Sequence, residues 1–196
     1  MIRRKMVKET PLSLAGQLLI ASPGMDDKRF QKAVVYLSRH TESDGAMGIV
    51  INRPTNQMTL HGIFAQLNIP VPDALLPEPP ILIGGPCDAH HGFVLHSTEY
   101  STPGTMPVSD DISLTATQSI LKDIARLGGP KDFLIALGCA TWEKGQLEEE
   151  LMGNFWMTAP ASPDVIFVQA PQDKWAGALA SIGVNPAVLS DKFGKS

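Results

Sequence analysis

Cysteine is scarce in this 196-residue chain. Cys87 and Cys139 are the only two, too few for the disulfide framework that holds small secreted domains together. Positive charge is also in short supply. Sixteen Lys and Arg stand against 20 Asp and Glu, a net charge of −4, which excludes a generally basic nucleic-acid-binding surface. The one basic cluster is Arg3, Arg4, Lys5 and Lys8, at the start of the chain. No apolar run approaches the roughly 18 residues that span a bilayer. Repeats, low-complexity segments and heptads are absent, as are the G-x-G-x-x-G and Walker A phosphate loops. What is present is 43% apolar residues, enough for a real core in a chain the length of one ordinary domain.

The basic start followed by a mostly apolar Leu12–Ala21 has the outline of a signal peptide. Glu9, Thr10 and Pro11 separate charge from apolar stretch, Gln17 interrupts it, and no small-x-small cleavage site follows. The segment reads instead as a flexible basic tail over 1–11, ahead of a core strand at 17–21 in one domain spanning 12–190. Two unpaired thiols fit a reducing, cytoplasmic setting.

Short runs rich in Val, Ile, Leu and Phe predict strands at 17–21, 33–38, 47–52, 81–83, 92–96, 133–137 and 165–169. Asp44-Gly45 between 33–40 and 46–52 supplies the positive φ of a hairpin turn. Helical periodicity is strongest over 115–127. There Thr115 is the expected cap, Gln118 completes a capping box, and Ala116, Ile120, Leu121, Ile124 and Leu127 form one stripe. Gly128-Gly129-Pro130 then stops the helix. Further helices are expected at about 142–152 with Thr141 as cap, at 59–67 and at 173–182. Five prolines (Pro70, Pro72, Pro77, Pro79, Pro80) make 70–80 an extended surface loop. A hairpin-rich first half and strands alternating with helices in the second predict an α+β fold with a mixed sheet, not a doubly wound one.

Chemistry-bearing residues are few. Cys139, between an expected strand and an expected helix N-terminus, sits where a thiolate is favoured, but no base is identifiable beside it. The simpler reading is a small apolar residue at a tight turn. Cys87, His90 and His96 are zinc-competent types without paired ligand spacing, so no metal is assigned. Gly84-Gly85-Pro86 reads as a turn. Trp142, Gln146 and Glu150 are spaced i, i+4, i+8 along one expected helix face, and Gly145 within that helix costs about 1 kcal/mol against Ala. That stripe either lines a ligand groove or is a packed Trp under solvated carboxylates.

Several stretches together resemble the AlgH/YqgE family of bacterial proteins, often labelled transcriptional regulators. They are Leu19-Ile-Ala-x-Pro23 with Asp27-x-x-Phe30, Val34-Val-Tyr36 with His40, and Gly45-Ala-Met-Gly48 leading to Asn52-x-Pro54. Gly84-Gly-Pro86, Gly92-Phe-x-Leu-His96 and Trp142-x-x-Gly-Gln-Leu-Glu148 with Glu150 continue the pattern. The resemblance runs over roughly residues 12 to 185. It implies one cytoplasmic α+β domain whose mixed sheet is partly barrel-like and flanked by helices, and it brings no established reaction and no cofactor. Cys139 stands where the family pattern is usually aromatic, and no Cys is required at 87, so a shared mechanism does not depend on these thiols. The motif positions Asp27, His40, Asn52, His96, Trp142, Gln146 and Glu150 are the candidates for a shared binding site.

The resulting expectation is a non-enzymatic binding or regulatory protein acting through a protein or small-ligand partner, without direct contact to nucleic acid or membrane. The alternative is a hydrolase or transferase in which Asp27, and His40 or His96 with Glu150, act as acid/base groups.

Overall fold

The computed structural model describes residues 13–70 and 78–185. The basic tail over 1–11 and the middle of the proline-rich stretch lie outside the described residues. Among the described residues nine strands and four α-helices follow one another as β1 (Gln17–Ala21), β2 (Val34–Thr41), β3 (Gly45–Val50), α1 (Leu60–Gln66), β4 (Ile81–Ile83), β5 (Cys87–Ser97), β6 (Thr105–Pro107), β7 (Ile112–Thr115), α2 (Gln118–Ala125), β8 (Phe133–Trp142), α3 (Gln146–Met152), β9 (Trp156–Pro160) and α4 (Lys174–Ser181). They form one mixed, curled sheet in the order β6-β7-β5-β8-β3-β2-β1-β9, with β4 added parallel to β8 and every other pairing antiparallel. The α+β expectation with a partly barrel-like sheet holds. No helix among the described residues is long and apolar enough to cross a membrane.

The apolar runs of β1–β3 are continuous because both faces of the sheet are covered. Leu18, Ile20, Val34, Tyr36 and Ile49 enter one cluster, closed by Val165, Ile166, Ala178 and Leu179. Their sequence neighbours Leu19, Ala21, Val35, Leu37 and Val50 point the other way, into a second cluster with Trp142, Leu147 and Trp156. A third cluster packs α1 and α2 on β5 and β8 through Phe64, Ile120, Val94 and Ile135.

Several expected elements are corrected. The β2–β3 hairpin forms as read, but 165–169 is not a strand: a π-helical turn occupies 164–168 and buries Val165 and Ile166 side by side. A short apolar run does not distinguish the two conformations. Thr115 does not cap a helix; it ends β7, fully buried, and Thr117 is the N-cap of α2. The strand 133–137 runs on to Trp142, so Cys139 lies inside β8 and not at a helix N-terminus. Gly138 makes the extension possible with φ +74, a conformation open to glycine. This bulge moves the inward-facing set from Leu134 and Ala136 to Cys139. The following helix accordingly begins at Gln146, not at 142, and Gly145 is its cap with φ +82, where a missing Cβ is an advantage. β6, β7 and β9 were not expected from the sequence.

Candidate functional site

The end of β8 and the start of α3 bring two polar side chains beneath two indoles. Trp142 is opposite Ala46 of β3, and Trp156, the first residue of β9, is opposite Ala21 of β1. Both indole N–H groups donate to the same oxygen of Glu150, Oε2, at 2.9 Å from Trp142 and 2.7 Å from Trp156. Gln146 Nε2 donates to Oε1 at 2.9 Å, and Gln146 Oε1 accepts the Glu143 N–H at 3.0 Å, which fixes the amide and the start of α3. The two indoles meet edge to face with centroids 5.9 Å apart, and Phe30 closes the aromatic group at 5.5 Å from Trp156.

Residues 22–33 form the facing wall. Asp27 Oδ1 accepts the Arg29 N–H at 2.9 Å, and the Arg29 guanidinium grips both carboxylate oxygens, Nη2 to Oδ2 at 2.7 Å. That guanidinium holds the Asp27 carboxyl below its ordinary range. Asn52 pins the wall from behind. Its Oδ1 accepts the Val34 N–H at 2.9 Å and its Nδ2 donates to the Lys32 carbonyl at 2.8 Å, while Arg53 Nη2 donates to the Gln31 carbonyl at 2.9 Å. Between wall and helix lies a cleft of about 430 Å³, within the size range of small-molecule sites. Asp27, Trp142, Gln146 and Glu150 line it together with Asp26, Arg29, Phe30, Cys87 and Trp156.

Four of the motif residues thus share one cleft, although Trp142 reaches it from a strand and not from the helix face that spacing suggested. Asn52 supports the wall without lining it. His40 serves elsewhere: the Leu14 N–H donates to Nδ1 at 3.0 Å, so Nε2 carries the hydrogen and donates to Glu148 Oε1 at 2.8 Å. Glu148 is two residues, about 200° around the helix, from Glu150. Its carboxyl is held low first by its own backbone N–H, then by His40. His96 is fully buried in the core. Its Nδ1–H donates to the Ser97 carbonyl at 2.9 Å, Nε2 accepts from the Thr115 hydroxyl at 2.9 Å, and Thr105 adjoins that hydroxyl at 2.7 Å. Burial lowers its pKa, so the ring stays neutral.

The geometry gives the acid/base alternative no support, because neither His40 nor His96 lines the cleft that holds Asp27 and Glu150. Cys87, His90 and His96 do not converge either. Cys87 is opposite Cys139 and His96 opposite Phe133, about 20 Å apart along β8. The Cys139 thiol is pushed up to about 11 by burial, the reverse of activation. A second concavity of about 450 Å³, lined by His90, His91 and apolar residues of α1 and α2, contains none of the motif candidates.

Sequence reasoning missed Trp156, Arg29 and Cys87 as cleft residues. Phe30 was visible as the end of the Asp27-x-x-Phe30 motif, whereas Trp156 enters through a strand that short, Ala- and Pro-containing sequence did not announce.

A curled α+β sheet with an aromatic, carboxylate-bearing cleft at one flank is the molecule's class. Residues 18–187 match the AlgH-like family model, and the chain belongs to that family. It is 46% identical over 187 residues to a UPF0301 protein of Rhizobium rhizogenes, covering 92% of each chain. A UPF0301 protein of Methylobacterium nodulans is 44% identical over 188 residues, covering 92% of this chain and 89% of that one. Among solved structures, the AlgH protein of Pseudomonas aeruginosa superposes with a TM-score of 0.77 at 37% identity, covering both chains completely. A Corynebacterium diphtheriae protein shares the fold, with a TM-score of 0.69 at 19% identity over 91% of this chain and 88% of its own.

Proposed function

We propose that this protein is a binding protein whose ligand enters the cleft between residues 22–33 and α3, and that it performs no chemistry there. The observation that carries the reading is convergence: Asp27, Trp142, Gln146 and Glu150, distant in sequence, line one concavity of ligand size. Catalysis has little support in the same place. Asp27 is held ionised by Arg29, which suits it to structure and not to proton transfer at neutral pH. Cys87 Sγ lies 3.2 Å from the Thr141 hydroxyl, and no histidine lines the cleft to act as its base.

A regulatory role, the kind of role for which the family is labelled, would then run through ligand or protein binding and not through duplex DNA. The net charge of −4 supports that direction, and the unpaired thiols support a cytoplasmic setting. A thermal-shift screen of the full chain against a metabolite library tests the proposal. A ligand that raises Tm in proportion to the logarithm of its concentration, and perturbs the Trp142 and Trp156 indole signals, is the expected result. Sequence-specific, salt-sensitive duplex binding, or turnover of a substrate, would overturn it.

A further inference from the structure

The unmatched charge in the cleft belongs to Glu150. An ionised carboxylate offers about four acceptor positions. Oε2 takes two indole N–H donors and Oε1 takes one amide, which leaves one position on Oε1. All three donors are neutral. Among the described residues Arg29 pairs with Asp27, and the contacts of histidine with carboxylate are His40–Glu148 and His61–Glu78, so no cation of the described residues lies within 4 Å of Glu150. Its hydrogen bonds are largely made, while its charge has no cationic partner among the described residues.

The rest of the lining has the same sense. Asp26 and Asp27 add negative charge, and the one cationic side chain of the lining, Arg29, is committed to Asp27 by its bidentate grip. An anionic ligand would meet Asp26 and Glu150 with no free cation opposite. The remaining walls are aromatic: Phe30, Trp142, Trp156 and the partly exposed Phe155. Aromatic faces attract cations, and this wall already holds one, since the Arg29 guanidinium carbon is 5.9 Å from the Phe30 ring centroid.

Taking the cleft as a ligand site, as argued above, we infer that its ligand is an organic cation: a protonated amine on an apolar, ring-sized body. The ammonium donates to the open position on Glu150 Oε1, and the apolar body rests among the aromatic rings. A volume of about 430 Å³ accommodates such a molecule.

Three probes sharing one body but differing in charge decide the matter on the wild-type chain: 2-phenylethylammonium, 2-phenylethanol and phenylacetate. The readout is the indole N–H resonances of Trp142 and Trp156, with Trp175, which lies outside the cleft and donates to the Ala21 carbonyl, as internal reference. The ammonium is expected to shift Trp142 and Trp156 but not Trp175, and to bind at least about tenfold more tightly than the alcohol, with phenylacetate weakest. Raising the salt concentration should weaken the ammonium alone. Equal or tighter binding of the alcohol or the acid at the same indoles would overturn the cationic assignment and leave the binding reading standing. Silence of both indoles with all three probes up to about 10 mM would overturn both. Glu150→Gln keeps an acceptor for the indoles and removes the charge, so it should bring the ammonium to within about twofold of the alcohol. A preference that survives this substitution would overturn the role given to Glu150.

Discussion

Trp142 and Trp156 stand edge to face at 78°, and the indole N–H of each aims at one oxygen of Glu150. The two come from the ends of β8 and β9, strands that are not neighbours in the sheet. Glu150 therefore ties two separate strand ends to α3, and the shape of the cleft depends on that tie.

The cost of cutting it is predictable. Both indoles are nearly buried, at 5% and 3% exposure, so neither N–H has ready access to water. Glu150→Leu should destabilise by about 2–4 kcal/mol, from two buried donors left unpaired. Glu150→Gln, which keeps one acceptor oxygen, should cost less than about 1 kcal/mol. Urea denaturation of the pair checks this, and equal stability of the two variants would show that the indole bonds contribute nothing.

Asn52 acts on the same cleft from outside. Asn52→Ala removes the acceptor for the Val34 N–H and the donor to the Lys32 carbonyl, and should cost about 1–2 kcal/mol. Amide exchange should accelerate locally across residues 22–33, with β5 and β8 unaffected. Uniform acceleration across the sheet would instead mark a global packing role.

Lys174 is 3% exposed, and its ammonium donates to the Ile166 carbonyl, with no carboxylate partner among the described residues. Burial pulls its pKa from 10.5 down to about 8. Below about pH 8 both folded and unfolded chains hold the proton, and the burial cost is fully present. Between about 8 and 10.5 the folded chain releases the proton and the unfolded one keeps it, so this group makes stability rise with pH. Cys139 acts in the opposite sense, since its thiol rises from 9.0 to about 11 and its contribution is lost over that interval. The difference between wild type and Lys174→Met isolates the lysine. The variant should be about 1–2 kcal/mol more stable at pH 7, with the gap closing by pH 9.5. Chemical denaturation at the two pH values measures it, and a gap independent of pH would exclude the titration.

The thiols should separate kinetically. Cys139 is 1% exposed with a pKa near 11, whereas Cys87 is partly exposed and lines the cleft. Iodoacetamide should modify Cys87 at least about tenfold faster, since the thiolate is the nucleophile. Peptide mass spectrometry over time reads the ratio, and comparable rates would contradict the buried placement of Cys139.

Legibility of this molecule in its sequence was uneven for identifiable reasons. Asp44-Gly45 announced the β2–β3 hairpin because its turn chemistry is local. The Trp142, Gln146 and Glu150 stripe left a ligand groove and a packed Trp both open, and it rested on a helical spacing that the backbone does not follow. Gly138 and Gly145 place Trp142 on a strand and Gln146 on a helix, and the three still converge. Thr115 looked like a cap because hydroxyls favour caps, yet its hydroxyl serves a buried histidine in another strand, a partner no local pattern reveals. His40 and His96 matched motif positions, but their ring nitrogens are spent on backbone and side-chain bonds that hold the fold. Trp156 escaped because β9 pairs with a strand more than a hundred residues away, beyond the reach of periodicity.

That last pairing bears on how the chain is made. β1 leaves the ribosome well over a hundred residues before its β9 neighbour, Trp156–Pro160, which is translated last among the described strands. For most of synthesis the Leu-Leu-Ile-Ala edge is paired on one side and bare on the other, an adhesive ribbon in a crowded tunnel exit. Nascent fragments ending before residue 156 should need chaperone shelter, and release of the last strand should mark the moment the flank of the sheet, and with it the cleft, comes into being.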